Sequence, residues 1–298
     1  MDKQQKQQLL DAMEKAICEK SFYEFFVRAF EIAEPSVPIS VNFHHKYLCD
    51  ILQAEAERIK ENKPKDKDII INIPFRSTKS LLVTVLFPAW CWAVYPKMRF
   101  ITASYSADIS IEHATKSRDI VQSEWYQKHW GETFHIKKDQ NLKARYENNF
   151  LGSRRATSVG GSVTGQGGDI ILVDDPTSPK NAASQVEREN ANEWYKSTLY
   201  SRLNNPTTGV RIIIMQRVHE DDLSGYLLYN SPDKHTHICI PAELSDDLKP
   251  KELAKHYEDG LFWKERFNTE ILDDYKSALG SYGYAGQLQQ RPTPFFFF

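Results

Sequence analysis

Residues 69–83 constrain this chain more than any other stretch. Ile69-Ile70-Ile71-Asn72-Ile73 is a run dominated by β-branched residues, the pattern of a strand buried on both faces. It breaks at Pro74, passes through Phe75-Arg76-Ser77-Thr78, and from Lys79-Ser80 becomes an apolar, helix-compatible run beginning Leu81-Leu82-Val83. Strand, tight turn, Lys-Ser and helix is the layout of a phosphate-binding loop. Backbone N–H groups at a helix start attract phosphates. A lysine ammonium there reaches the β- and γ-phosphates of a nucleotide, and the serine hydroxyl binds Mg2+. Pro74, Phe75, Arg76, Ser77, Thr78, Lys79 and Ser80 are therefore the candidate nucleotide-binding residues. The usual pattern has glycine at both ends of the loop, where this chain has Pro74 and Thr78. Glycine before the lysine permits a positive φ and close approach to phosphate, a geometry that a β-branched threonine resists. Taken alone, the segment fits an ordinary strand–turn–helix equally well.

A second segment favours the nucleotide site. Asp169-Ile170-Ile171-Leu172-Val173-Asp174-Asp175-Pro176 reads as another buried strand, ending in two carboxylates and a breaker. In phosphate-loop enzymes such a strand lies beside the loop; its first acid serves Mg2+ and its second orients or activates the attacking water. Asp-Pro after a strand is also an ordinary helix start. The order and spacing of the two segments together support the site. A third buried run, residues 210–215, ends in Gln216-Arg217, a polar pair at the strand end where open α/β sheets place their chemistry. Gln216 is positioned to sense the γ-phosphate or water and Arg217 to carry the signal onward, although a strand-end hydrogen bond explains the pair equally well.

Composition excludes several classes. With 41% hydrophobic and 26% charged residues in 298, the chain can build a large core and at most two domains. A net charge of −2 gives no global basic signature for nucleic acid and leaves a local patch invisible in the sum. Cys18, Cys49, Cys91 and Cys239 are widely spaced with no CxxC pair, which argues against a zinc site or a disulfide framework. The polar N-terminus shows no secretory signal, and the longest apolar run is too short to span a bilayer, so no membrane association is expected.

Along the chain, residues 3–33 read as helical, with Leu9, Leu10, Met13, Ile17, Phe22, Phe25, Phe26 and Phe30 forming a core-facing stripe. Asn42-Phe43-His44-His45 opens a second helix; this cluster is either a support for an adenine ring or ordinary polar and core residues. Residues 79–95 read as a helix kinked at Pro88, and residues 98–104 as a strand followed by a helix from Ser106. Residues 143–158 suggest a hairpin. The stretch 160–168 is rich in glycine, which permits close backbone approach, but it lacks dinucleotide-fold spacing. His219-Glu220-Asp221-Asp222 has the look of a metal cluster, yet acids in the first turn of a helix account for it. The expected fold is α/β: a P-loop NTPase with a central, mostly parallel β-sheet flanked by helices and an N-terminal helical segment. The expected division is an N-terminal helical segment at 1–62, the ATPase domain at 63–292 and a tail or linker start at 293–298.

These pieces resemble the large terminase subunit of tailed bacteriophages, the ATPase that drives DNA into the capsid. The resemblance runs from about Asn42 to Pro292, on seven stretches in order. They are 74–80, 103–106 (Ala-Ser-Tyr-Ser), 156–169, 172–176 (Leu-Val-Asp-Asp-Pro), 215–217 (Met-Gln-Arg), 221–225 (Asp-Asp-Leu-Ser-Gly) and 286–292. It implies ATP and Mg2+ as cofactors, with Lys79 and Ser80 on the phosphates and metal. Arg76 resembles the arginine that family members carry in the loop. Asp174 corresponds to the magnesium-binding acid of the Walker B strand, and Asp175 falls where many relatives have a catalytic glutamate. Gln216 and Arg217 resemble the motif coupling hydrolysis to movement. Arg76 is a candidate arginine in cis, and Arg154 and Arg155 are candidates in trans. The resemblance further implies double-stranded DNA, the capsid portal protein and a small terminase subunit as partners. It also implies a homo-oligomeric ring, and residence in the bacterial host cytoplasm with transient docking on the procapsid. Family members carry a nuclease domain after the ATPase; the chain stops near where the linker would begin, so cleavage is not expected of it. Thr78 keeps open a rival reading as a nucleotide-binding assembly module with weak hydrolysis. A helicase-like ATPase is a further alternative, although a helicase normally needs a second motor domain.

Overall fold

The computed structural model describes residues 2–163 and 165–292; the apolar tail lies outside them. Three helices come first: α1 (Lys3–Lys20), α2 (Phe22–Ala33) and α3 (Phe43–Lys60). The stretch read as helical over residues 3–33 is two helices, because Ser21 takes an extended conformation and its hydroxyl caps α2 by accepting from the Glu24 N–H. An eight-stranded sheet follows, in the order β3-β4-β5-β2-β6-β7-β1-β8. Its strands are β1 (Asp68–Asn72), β2 (Arg99–Ser104), β3 (Ile136–Asn141), β4 (Arg145–Asn148), β5 (Ser153–Ser158), β6 (Ile170–Asp174), β7 (Val210–Met215) and β8 (His235–Cys239). From β5 to β8 all neighbours are parallel, and β3–β4–β5 form an antiparallel flank. The expected hairpin is thus real, but its second strand is also a member of the parallel sheet.

The isoleucine-rich strands explain the layering. Successive side chains on a strand face opposite ways. Ile69, Ile71, Ile212 and Ile214 therefore enter one core, under α2, α3 and α4 (Phe87–Val94). Ile70, Ile213, Ile171 and Val173 enter a second, under α7 (Gln185–Trp194) and α8 (Leu223–Asn230). α5 (Ala107–Gln122) and α6 (Glu124–Trp130) complete the first layer. α9 (Thr269–Gln287), broken at Gly280, ends the described chain. Among the described residues no helix is long and apolar enough to cross a membrane, and all four cysteines are free and buried.

Two expectations are corrected. The irregularity after the Lys79-Ser80 turn is a π-helical segment, Leu81–Leu86, and Pro88 sits in the first turn of α4 beyond it. Widening the helix ahead of a proline relieves the clash of its ring with the preceding turn. In α1, Leu9, Leu10, Met13 and Ile17 do not face the core; they are 40–52% exposed. The helix docks through its carboxylates instead: Trp125 Nε1 donates to Glu14, Trp130 Nε1 to Glu19, and Lys128 to Asp11. Phe22, Phe25, Phe26 and Phe30 do fill the core.

Candidate active site

The carboxyl ends of β1, β6 and β7 meet at one edge of the sheet. β6 does not lie directly beside β1, because β7 runs between them. The candidate phosphate-binding loop, residues 74–80, bridges that gap: Lys79 Nζ lies 3.0 Å from Asp175 Oδ2 although their strands are not neighbours. Lys79 is buried. Asp175 Oδ1 accepts from the backbone N–H of Gln216 at 3.0 Å, so one carboxylate joins the loop, the acidic strand and the end of β7. Asp175 itself takes a positive φ of 42°, which aims its side chain back across the sheet edge.

The loop has the backbone anticipated for it without the glycine. Thr78 adopts φ 66° and Arg76 φ 58°. For a β-branched side chain this region is strained, at roughly 1–3 kcal/mol. Other contacts hold the turn. Ser77 Oγ donates to the Pro74 carbonyl at 2.7 Å, and His44 Nε2 hydrogen-bonds the Ser77 carbonyl at 3.0 Å from behind. His44 and His45 are fully buried against Trp263, with His45 also stacked on Phe26. They belong to the core and do not present a surface to a base. A cavity of about 460 Å³ opens instead beside Arg76 and Thr78, walled by Phe30, Pro38, Trp263 and Arg266. Trp263 and Arg266 lie far along the chain in an irregular segment, and nothing local in the sequence marked them.

Asp174 is buried at the end of β6, and its Oδ1 has no hydrogen-bond partner. Burial, reinforced by the neighbouring charge of Asp175, pushes its carboxyl up to about 7, while Lys79 and the Ser80 hydroxyl pull it down. An orphaned, buried carboxylate oxygen beside a serine fits a bound cation: Ser80 and Asp174 are the residues that would hold Mg2+. His113 Nδ1 lies 3.6 Å from Asp174 Oδ2 and 3.1 Å from Thr84 Oγ1. Burial, with the charge of Arg154, holds His113 down at about 4, so it is neutral. Sequence reasoning missed it, since one histidine in the middle of α5 carries no local signal.

Gln216 is buried with Oε1 unpartnered. Arg217 is not turned toward the loop. Its Nε donates to both oxygens of Asp222, at 2.9 and 3.0 Å, and its backbone N–H donates to Gln290 Oε1. Asp222 is fully buried and caps α8, also accepting from the N–H groups of Val218, His219 and Gly225. Arg217 therefore ties the end of β7 to α8 and to the C-terminal segment; of the acid-rich stretch after it only Asp222 caps the helix, and the first turn of α8 itself carries no acid. Arg154 is corrected as a candidate for reaching a neighbouring subunit: it is buried and its Nη2 donates to the Thr84 carbonyl. Arg155 faces a different cleft on the opposite side of β5. Arg76 alone of these is exposed in the loop.

With this geometry in hand, known structures answer the question of fold. The large terminase of bacteriophage HK97 matches over 90% of this chain with a TM-score of 0.51 at 13% sequence identity. The fold is the one found in phage large terminases. The ATPase domain of the Thermus phage P74-26 large terminase, in a mutant form, matches 75% of this chain and 88% of its own length, with a TM-score of 0.50 at 9% identity. The large terminase of a thermophilic bacteriophage, in complex with ADP, matches over 80% of this chain and 52% of its own length, with a TM-score of 0.44 at 12% identity. The chain spans 55% of the HK97 protein. No protein-family model and no curated protein sequence matches it.

Proposed function

We propose that the chain is an ATP-hydrolysing motor subunit that moves viral double-stranded DNA into a capsid. The observation that carries this reading is the contact of Lys79 with Asp175 across an intervening strand. It sets Lys79 against Asp175, next to Asp174, at one sheet edge, which supports reading them as a phosphate-binding lysine, a water-orienting acid and a metal-binding acid. Lys79 would exchange its contact with Asp175 for the β- and γ-phosphates when nucleotide enters, freeing Asp175 to orient the attacking water. Backbone N–H groups of residues 76–80 would cradle the phosphates, and the cavity beside Trp263 has room for the base and sugar. Ser80 and Asp174 would hold Mg2+, which would neutralise phosphate charge there.

Gln216 shares Asp175 with Lys79 through its backbone, and Arg217 links that point to α8 and to Gln290. This is a covalent and hydrogen-bonded route by which occupancy at the loop reaches the far segment. The motor would work as a ring on the capsid portal with a small terminase subunit, in the host cytoplasm. Arg76 supplies charge in cis, and a neighbour in the ring completes the site. The test is specific ATPase activity against protein concentration, with Mg2+ and with or without double-stranded DNA. The reading expects slow turnover when dilute, rising with concentration and DNA. Magnesium-independent turnover, or none under any condition, would refute it.

A further inference from the structure

A second charged site lies away from the nucleotide edge. Register places Arg155 beside Ile101 and opposite Arg145, and places Arg99 beside Ser153. Ile101 faces the second core, so alternation puts Arg99, Arg145 and Arg155 on that same face of the sheet. They line a cleft of about 300 Å³ together with Glu147 and the backbone of Gly165 and Gly167. Arg145 and Arg155 are direct cross-strand partners of like charge, an arrangement that weakens a sheet. The nearby acids are already engaged. Glu147 is held by Arg145 at 2.9 Å and Lys137 at 3.5 Å. Asp169 accepts from the backbone N–H of Arg99 and from Asn204. Among the described residues no carboxylate forms an ion pair with Arg99 or Arg155; their guanidinium groups donate to the carbonyls of Leu151 and Ser162.

We infer that this cleft binds the phosphodiester backbone of nucleic acid. Arginine's planar fork suits phosphate oxygens, and the site holds no aromatic platform for bases, so contact is with the backbone and independent of sequence. A chain of net charge −2 gains a local polyanion site in this way. The cleft lies at the opposite end of β2 from Asp174: Ser104 pairs with Asp174, whereas Arg99 starts the strand. The stretch 165–168, which walls it, precedes β6, and its Gly168 lies against the backbone of Arg99 and Ile101 in β2. It therefore touches the cleft and leads into the strand that carries Asp174 and Asp175. The inference rests on the reading of the chain as a DNA motor.

The test is fluorescence anisotropy of labelled duplex DNA of two unrelated sequences, titrated over a range of KCl concentrations. The proteins are the full chain, Arg145→Ala, Arg155→Ala, the double variant and the double lysine variant. The double alanine variant should bind both duplexes more weakly and equally so. Its log–log salt slope should be shallower by about 2, one unit per lost phosphate contact. The double lysine variant should recover part of the affinity. Melting temperature and nucleotide affinity should stay as in the parent chain, which excludes misfolding. An unchanged salt slope in the double variant overturns the inference. So does an arginine-dependent binding of polyglutamate or inorganic phosphate that leaves DNA binding intact. Lys79→Ala, measured alongside, should lose nucleotide and keep DNA. If it keeps both, the nucleotide reading fails while the cleft is judged on the arginine variants alone.

Discussion

Thr78→Gly is the most informative change in the loop. Thr78 stands at φ 66°, where its branched Cβ meets its own backbone. Relieving that conformation returns about 1–2 kcal/mol per residue. Glycine gives back about 0.5–1 kcal/mol through the added freedom of the unfolded chain. Among the described residues no hydrogen bond from the threonine hydroxyl offsets the balance; the bonds nearby belong to Ser77 and Thr84. The net is a stabilisation of about 0.5–1 kcal/mol, or about 1–4 °C in Tm for a chain of this size. Thr78→Ala separates the two effects: it keeps a Cβ at positive φ, loses only the branch and should give a smaller rise. The assay is differential scanning calorimetry of the three proteins without nucleotide, followed by ATPase at saturating MgATP, which the glycine variant should raise. A Tm for Thr78→Gly below that of the parent would refute the reasoning, because the threonine would then be contributing a contact that outweighs its strain.

Other outcomes follow from the same geometry. Asp175→Asn keeps size but removes the charge that faces Lys79, so kcat should fall sharply with little change in nucleotide affinity; normal turnover would assign the role to another acid. Arg217→Ala leaves the fully buried Asp222 without its cation and should cost about 3–5 kcal/mol in chemical unfolding. Arg217→Lys retains charge but not the two-oxygen contact, and it should impair DNA movement more than DNA-independent hydrolysis. Burial holds His45 down at about 4 and, with the charges of Lys249 and Arg217, His237 at about 3. Both histidines fold neutral. Their contribution is whole above the unfolded value near 6.5 and is lost as pH falls toward the folded values, on the order of 3 kcal/mol each by pH 4. Urea midpoints between pH 4.5 and 8 should fall on the acid side, and His237→Asn should flatten that fall.

Much of the candidate site was legible because it is local. Strand, turn and Lys-Ser occupy one short stretch, and the two acids end one buried strand, so periodicity and breakers located Lys79, Ser80, Asp174 and Asp175. The isoleucine runs also pointed to the parallel sheet, since only strands covered on both faces are so uniformly apolar. What was not legible depends on chain segments far apart. The strand inserted between β1 and β6 is a matter of topology, and Lys79 meets Asp175 only because the loop spans it. His113 reaches Asp174 from the middle of a helix, and Trp263 joins the loop from an irregular segment. The stripe on α1 failed for a related reason. Periodicity identifies an apolar face but not what it meets, and here Glu14 and Glu19 take the docking side by accepting indole N–H bonds. The place of Arg217 after β7 suggested a residue that carries a signal onward or a strand-end hydrogen bond, and its partner, the buried Asp222 five residues on, was not marked by position alone.

The most direct measurement is equilibrium binding of ATP in the presence of Mg2+ to the parent chain and to Lys79→Ala, by calorimetry. Melting curves of both proteins show that the variant is folded. The loss of a charge-assisted contact to the β- and γ-phosphates should weaken binding by at least about tenfold. Equal affinity in two folded proteins would contradict the assignment of residues 74–80 as the phosphate-binding loop.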